Sequence, residues 1–82
     1  EEIKKIARFY GAIDVSIKRA SEEERRLMQD AYSLISYNIT SEDNSERRNE
    51  IEERLKDFLE SKAYSVILKP KMIITNAKLL PD

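Results

Sequence analysis

An all-α fold, a small three-helix bundle carrying a C-terminal segment, is what this chain predicts, and three observations predict it. Apolar residues recur at helical spacing along three stretches, near 2–20, 22–39 and 45–63. A capping box, Ser21 with Glu24, separates the first two. The 82 residues include one Gly, two Pro and no Cys, too few turn formers for a sandwich or barrel. Hydrophobic residues make up 40% of the chain, enough for one core and more than a disordered segment carries. A single helical domain over 1–82 is expected. Because the chain opens on Glu1 and closes on Leu80-Pro81-Asp82, it is expected to be a piece of a longer protein.

Helix one, over 2–20, has two faces. Ile3, Ile6, Phe9, Tyr10, Ile13, Ile17 and Ala20 fall in an arc of about 120° on a wheel of 100° per residue. Lys4, Lys5, Arg8, Lys18 and Arg19 fall on the opposite side. Between the two basic clusters lie Gly11, Ala12 and Val15. They read either as a small-residue patch where another backbone approaches, or as a mild kink at Gly11, which costs about 1 kcal/mol in a helix interior.

Helix two starts near Glu22. The Ser21 hydroxyl can accept from the Glu24 amide while the Glu24 carboxylate reaches back to the Ser21 amide. Its stripe is Leu27, Met28, Ala31, Leu34, Ile35 and Ile39, flanked by Tyr32 and Tyr37. Thr40–Ser45 is a loop by composition, and Asp43 or Ser45 caps helix three. Asn38-Ile39-Thr40 matches the glycosylation pattern and reads as a chance match.

Helix three buries Ile51, Leu55, Phe58 and Leu59. Glu46, Glu50, Glu53, Asp57 and Glu60 recur at spacings of four and three, nearly opposite that stripe. The line they form spans about 21 Å at 1.5 Å per residue. It reads either as a solvated face or as a docking stripe for a basic partner. Beyond Lys62, Pro70 breaks the chain. Residues 72–80 are assigned a short fourth helix. The alternative is a β-hairpin about Pro70, since Met-Ile-Ile-Thr favours extended structure. The expected core is Ile3, Ile6, Ile13, Ile17, Leu27, Ala31, Leu34, Ile35, Ile51, Leu55, Phe58 and Leu59.

Composition restricts the chemistry. Without His or Cys the chain lacks the commonest general base, the commonest metal ligand and any thiolate nucleophile. The only Gly is Gly11, so neither a phosphate loop nor an EF-hand loop can be built. No catalysis, metal or cofactor is expected. No apolar run approaches the length of a membrane span and no signal peptide is visible, so a cytoplasmic, intracellular setting is expected.

Binding remains. The formal net charge is −1, but the ends are basic and the middle acidic. Segregation of this kind acts on association rather than on fold. The expected function is a non-catalytic protein–protein interaction or assembly domain, docking through oppositely charged outward helix faces. Its binding residues are Lys4, Lys5, Arg8, Lys18 and Arg19 on one side and Glu46, Glu50, Glu53, Asp57 and Glu60 on the other. The partner is another protein or a second copy of the chain. The alternative is nucleic acid, held by the basic face of helix one with Lys62, Lys69, Lys71 and Lys78, because phosphate contacts dominate such binding. The run Ile51-Glu-Glu-Arg-Leu-Lys-Asp-Phe-Leu-Glu-Ser-Lys-Ala-Tyr64, with Leu79-Leu80-Pro81-Asp82 after it, resembles the helical domain of GINS-type replication subunits. That resemblance implies DNA-replication machinery as the setting of the alternative.

Overall fold

The computed structural model describes residues 2–39 and 45–80. They form an α+β fold, which corrects the expected all-α bundle. In chain order the elements are α1 (Glu2–Phe9), β1 (Ala12–Arg19), α2 (Glu22–Leu27), β2 (Ser33–Ile39), α3 (Ser45–Ser61), β3 (Val66–Lys69) and β4 (Met72–Thr75). The four strands make one sheet in the order β1-β2-β4-β3, each neighbour antiparallel. The Thr40–Ser45 loop up to residue 44, and with it the Asp43 cap, lies outside the described residues, as do Pro81 and Asp82.

The first expected helix stops after two turns. Gly11 takes φ +115°, and its amide closes on the Arg8 carbonyl at 3.1 Å, ending α1. A left-handed residue after the last turn is a common helix terminator, and only Gly adopts it without a Cβ penalty. Beyond the turn, Ile13, Val15 and Ile17 alternate with Asp14, Ser16 and Lys18, a period of two built on β-branched residues. The 13/17/20 spacing also fits a helix. The ladder to β2 decides it, because Ile17 pairs Ile35 and Val15 pairs Tyr37. A bulge lies between Ala12 and Asp14.

α2 begins at Glu22 as the capping signal requires. The Glu24 carboxylate accepts from both the Ser21 amide and the Ser21 hydroxyl, at 2.6 Å each. The Ser21 hydroxyl and amide hold that carboxyl below the usual range. The helix ends at Leu27 rather than continuing to 39, and Met28 is already extended. Within β2, Ser33, Ile35, Tyr37 and Ile39 are buried on one face of the sheet while Leu34 turns to the other. The C-terminal segment is the hairpin about Pro70, not a fourth helix. Pro70 and Lys71 join β3 to β4, with Lys71 at φ +61°. Pro at the first central position and positive φ at the second are the marks of a tight turn that favours Gly where Lys71 stands.

α3 forms over the length expected. Its end is a Schellman closure: Tyr64 donates to the Leu59 carbonyl at 3.1 Å and Ala63 to that of Glu60 at 2.9 Å, with Ala63 at φ +70°.

The main core lies between the sheet and helices α1 and α3. It joins Ile3 and Ala7 to Val15, Ile35, Tyr37, Ile39 and Ile73, and these to Ile51, Leu55 and Leu59. A smaller cluster on the opposite sheet face gathers Ala20, Met28, Ala31 and Ile74, with Leu34 and Ile67 beside it. Of the expected core, Ile6, Ile17, Leu34 and Phe58 are only partly buried. Ile13 and Leu27 are 56% and 53% exposed: Ile13 lies at the bulge that opens β1, and Leu27 ends α2, a helix with no buried residue. Two buried hydroxyls fasten the tail that comes after β4. Ser33 donates to the Ala77 carbonyl at 2.6 Å and accepts from the Leu79 amide at 3.2 Å. Thr75 donates to the Ser65 carbonyl at 2.8 Å and accepts from the Ala77 amide at 3.2 Å. Neither polar group is buried without a partner, which would cost about 1–3 kcal/mol.

Candidate functional site

Helix α3 presents the acidic line as the sequence spacing requires: Glu46, Glu50, Glu53, Asp57 and Glu60 are all exposed along it. The N-terminal half of that line faces the end of α1. There Gly11 allows the chain to turn back, and Arg47 lies across the turn. A Cβ on Gly11 would come within 2.6 Å of Arg47 Cδ and Nη1. The turn sets Phe9 and Tyr10 beside α3. Their rings meet edge to face, with centroids 4.9 Å apart and planes at 82°. The Arg54 guanidinium sits 5.0 Å from the Tyr10 centroid, so Tyr10 is held between Phe9 and α3.

The helical wheel puts Phe9 on the buried face of helix one. It is instead 80% exposed. A groove of about 660 Å³ opens beside it, lined by Phe9, Tyr10, Glu46, Arg47, Asn49, Glu50 and Glu53. An apolar ring at the rim of a carboxylate-lined groove can accept a side chain that is part apolar and part cationic.

The basic residues do not share one helix face. Lys4, Lys5 and Arg8 stand on α1. Lys18 and Arg19 belong to β1, with Lys18 alternating onto the sheet face that carries Asp14 and Ser16. Arg19 lies over the Tyr32 ring at 4.5 Å, and the Lys78 ammonium is 5.4 Å from the same ring. The small-residue patch is likewise dissolved: Ala12 and Val15 are buried in the main core, and Gly11 is a turn.

Sheet pairing brings together residues that sequence spacing cannot connect. Arg8, Asp14, Ser16, Ser36, Asn38 and Lys71 line a second hollow of about 570 Å³ on the sheet face away from α3. The Ser16 and Ser36 hydroxyls lie 3.2 Å apart within it. Lys62, by contrast, sits 5.2 Å from the Phe58 ring at the far end of α3.

The remaining unusual group is structural. Tyr37, 2% exposed, donates to Glu52 Oε2 at 2.8 Å and ties the sheet to α3. Burial, then the hydrogen bond and the charge of Glu52, push its hydroxyl well above the ordinary tyrosine range. Among the described residues no group of His, Cys, Asp or Glu is placed to hold a metal ion. No helix among them is long and apolar enough to cross a membrane. No family model matches the chain, and neither does any curated protein or solved structure.

Proposed function

We propose that this chain is a non-catalytic protein-interaction domain acting inside the cell, and that its docking site is the groove between Phe9 and the acidic face of α3. The observation that carries this reading is Phe9. A phenyl ring 80% exposed is an unfavourable use of a large apolar side chain in a domain with a modest core. It is backed by Tyr10, itself braced by Arg54, and faces Glu50 and Glu53 across the groove. Aromatic anchors beside complementary charge are the composition of interaction hot spots. The partner that fits is a protein segment carrying Lys or Arg next to an apolar residue. Selection from a displayed library of random peptides tests this. Enriched peptides are expected to combine a cation with an aromatic or aliphatic neighbour, and to lose binding to Phe9→Ala and to Glu50→Lys/Glu53→Lys. Failure to enrich any such peptide, or binding that ignores those substitutions, would refute the site.

A second reading is favoured by the other hollow, where Arg8 of α1 and Lys71 of the β3–β4 turn meet. These come from the two segments that a nucleic-acid reading requires. The two serines and Asn38 add neutral donors, while Asp14 opposes an anion. Tyr37 borders the hollow, but its ring is packed in the main core and offers no stacking surface for a base. Phosphate contacts would therefore have to supply the affinity. Fluorescence anisotropy with short single-stranded and duplex DNA at low salt distinguishes the two. Binding that falls with salt and is lost in Arg8→Glu/Lys71→Glu would support this reading, and no binding at low salt would dismiss it.

A further inference from the structure

The sheet has two edges, and they differ. β3 is four residues long and runs into Pro70, which makes it a poor template for another strand. β1 is eight residues long and, among the described residues, pairs with β2 alone. Its bulge is confined to the Ala12/Asp14 end, so Asp14–Arg19 is regular strand. The Ala20 amide donates to the Tyr32 carbonyl at 2.8 Å, extending the β1–β2 register by one step. Peptide groups alternate sides along an antiparallel strand. Even-numbered residues of β1 therefore turn their N–H and C=O groups to β2. Those of Val15, Ile17 and Arg19 face outward, without a strand to meet among the described residues.

The side chains on this edge are arranged symmetrically. Asp14 and Lys18 lie on the same sheet face, equally spaced about Ser16, and all three are exposed. At about 3.4 Å per residue, Asp14 and Lys18 stand too far apart along one strand to neutralise each other. In an antiparallel pair of two such strands centred on Ser16, Asp14 of each copy faces Lys18 of the other. In the same register Val15 faces Ile17 of the other copy, which matches outward peptide groups to outward peptide groups and forms roughly four backbone hydrogen bonds. The Asp14–Lys18 pairs then fall at the positions without hydrogen bonds, where side chains approach most closely. A one-residue slip would break both matches.

We infer that β1 is a self-complementary edge, and that the chain pairs with a second copy of itself through antiparallel β1 strands into one continuous eight-stranded sheet. The two-fold axis passes beside Ser16, perpendicular to the sheet, so α1 and α3 of both copies stay on the same face. The contact is smaller than that of an obligate dimer, so the association is weak and depends on concentration. The Phe9 groove is not involved in the pairing contacts, and the inference stands apart from the function proposed for it.

A charge swap tests it. Wild type is examined by sedimentation equilibrium at low and high salt, together with Asp14→Lys, Lys18→Asp and the double variant Asp14→Lys/Lys18→Asp. Circular dichroism checks that each is folded. Wild type is expected to dimerise reversibly, more weakly at high salt. Each single variant places like charges opposite each other twice and should weaken the dimer by about tenfold or more. The double variant restores opposite charges in the same register and should recover most of the wild-type affinity. A role of either residue within one molecule would give no such recovery. A strict monomer at low salt and high concentration would overturn the inference. So would a dimer indifferent to the single substitutions, or a double variant no better than its parents. As a second readout, Val15 and Ile17 amide exchange should slow with rising concentration in wild type and in the double variant alone.

Discussion

Replacing Tyr37 with Phe removes one hydroxyl from the joint between the sheet and α3. The hydroxyl donates to Glu52 Oε2 at 2.8 Å from a side chain that is 2% exposed. A hydrogen bond to a charged acceptor contributes about 1.5–3 kcal/mol. Glu52 is only partly buried and regains water when the donor is lost, which places the cost of Tyr37→Phe near the lower end, about 1–2 kcal/mol at pH 7. The pH dependence is more specific. Burial and Glu52 raise the folded-state pKa of Tyr37 above its unfolded value near 10. A raised pKa means that the stability is fully present below the unfolded pKa and is lost as pH climbs towards the folded one. Wild type should therefore lose stability above pH 10 that Tyr37→Phe does not, by up to about 1.4 kcal/mol per pH unit. The other tyrosines are common to both chains and cancel in the difference. Urea titrations of both proteins between pH 7 and about pH 11 measure the gap, which should close over the last unit. A gap that is absent at pH 7, or that persists unchanged to pH 11, would refute the account of this joint.

Three further substitutions probe the backbone and the sheet. Gly11→Ala should destabilise by about 1–2 kcal/mol in denaturant titrations, because φ +115° disfavours any Cβ and Arg47 must also move aside. Ala63→Gly should stabilise by about 0.5–1 kcal/mol, since it relieves the left-handed residue of the α3 closure and loses only part of that gain to unfolded-chain entropy. Ile35→Ala should cost about 2–5 kcal/mol, whereas Ile13→Ala in dilute protein should cost less than about 1 kcal/mol. Equal losses at the two sites would refute the difference in burial between them.

That wheel misled for a physical reason. Periods of 3.6 and 2.0 coincide at a separation of four, as between Ile13 and Ile17, so that pair fits a helix face and a strand face alike. Two signals stood against a continuous helix: Gly11 at the junction and the β-branched run Ile13, Val15, Ile17. In β2 the alternation is blurred because Leu34 is covered by the second cluster, so both faces of that strand carry apolar residues. α3 was legible because an exposed acidic face opposite a buried stripe admits only one period. The site divides in the same way. The carboxylates of α3 could be placed from spacing alone. The exposure of Phe9 could not, because it depends on the chain turning at Gly11 and leaving the ring beyond the reach of the core. The meeting of Arg8 with Lys71 depends on strand order, which no local pattern encodes.

The order β1-β2-β4-β3 puts the last strand in sequence at the inside of the sheet. A chain emerging from the ribosome can form α1, the β1–β2 ribbon and α3 before β4 exists. A two-stranded ribbon is marginal in water, and the buried partner of Ile35 is Ile73. Until Ile73, Ile74 and Thr75 arrive, β2 offers a second open edge and the main core lacks its centre. The main core is thus incomplete without β4, and only once β4 is in place can Ser33 close on Ala77 and Leu79.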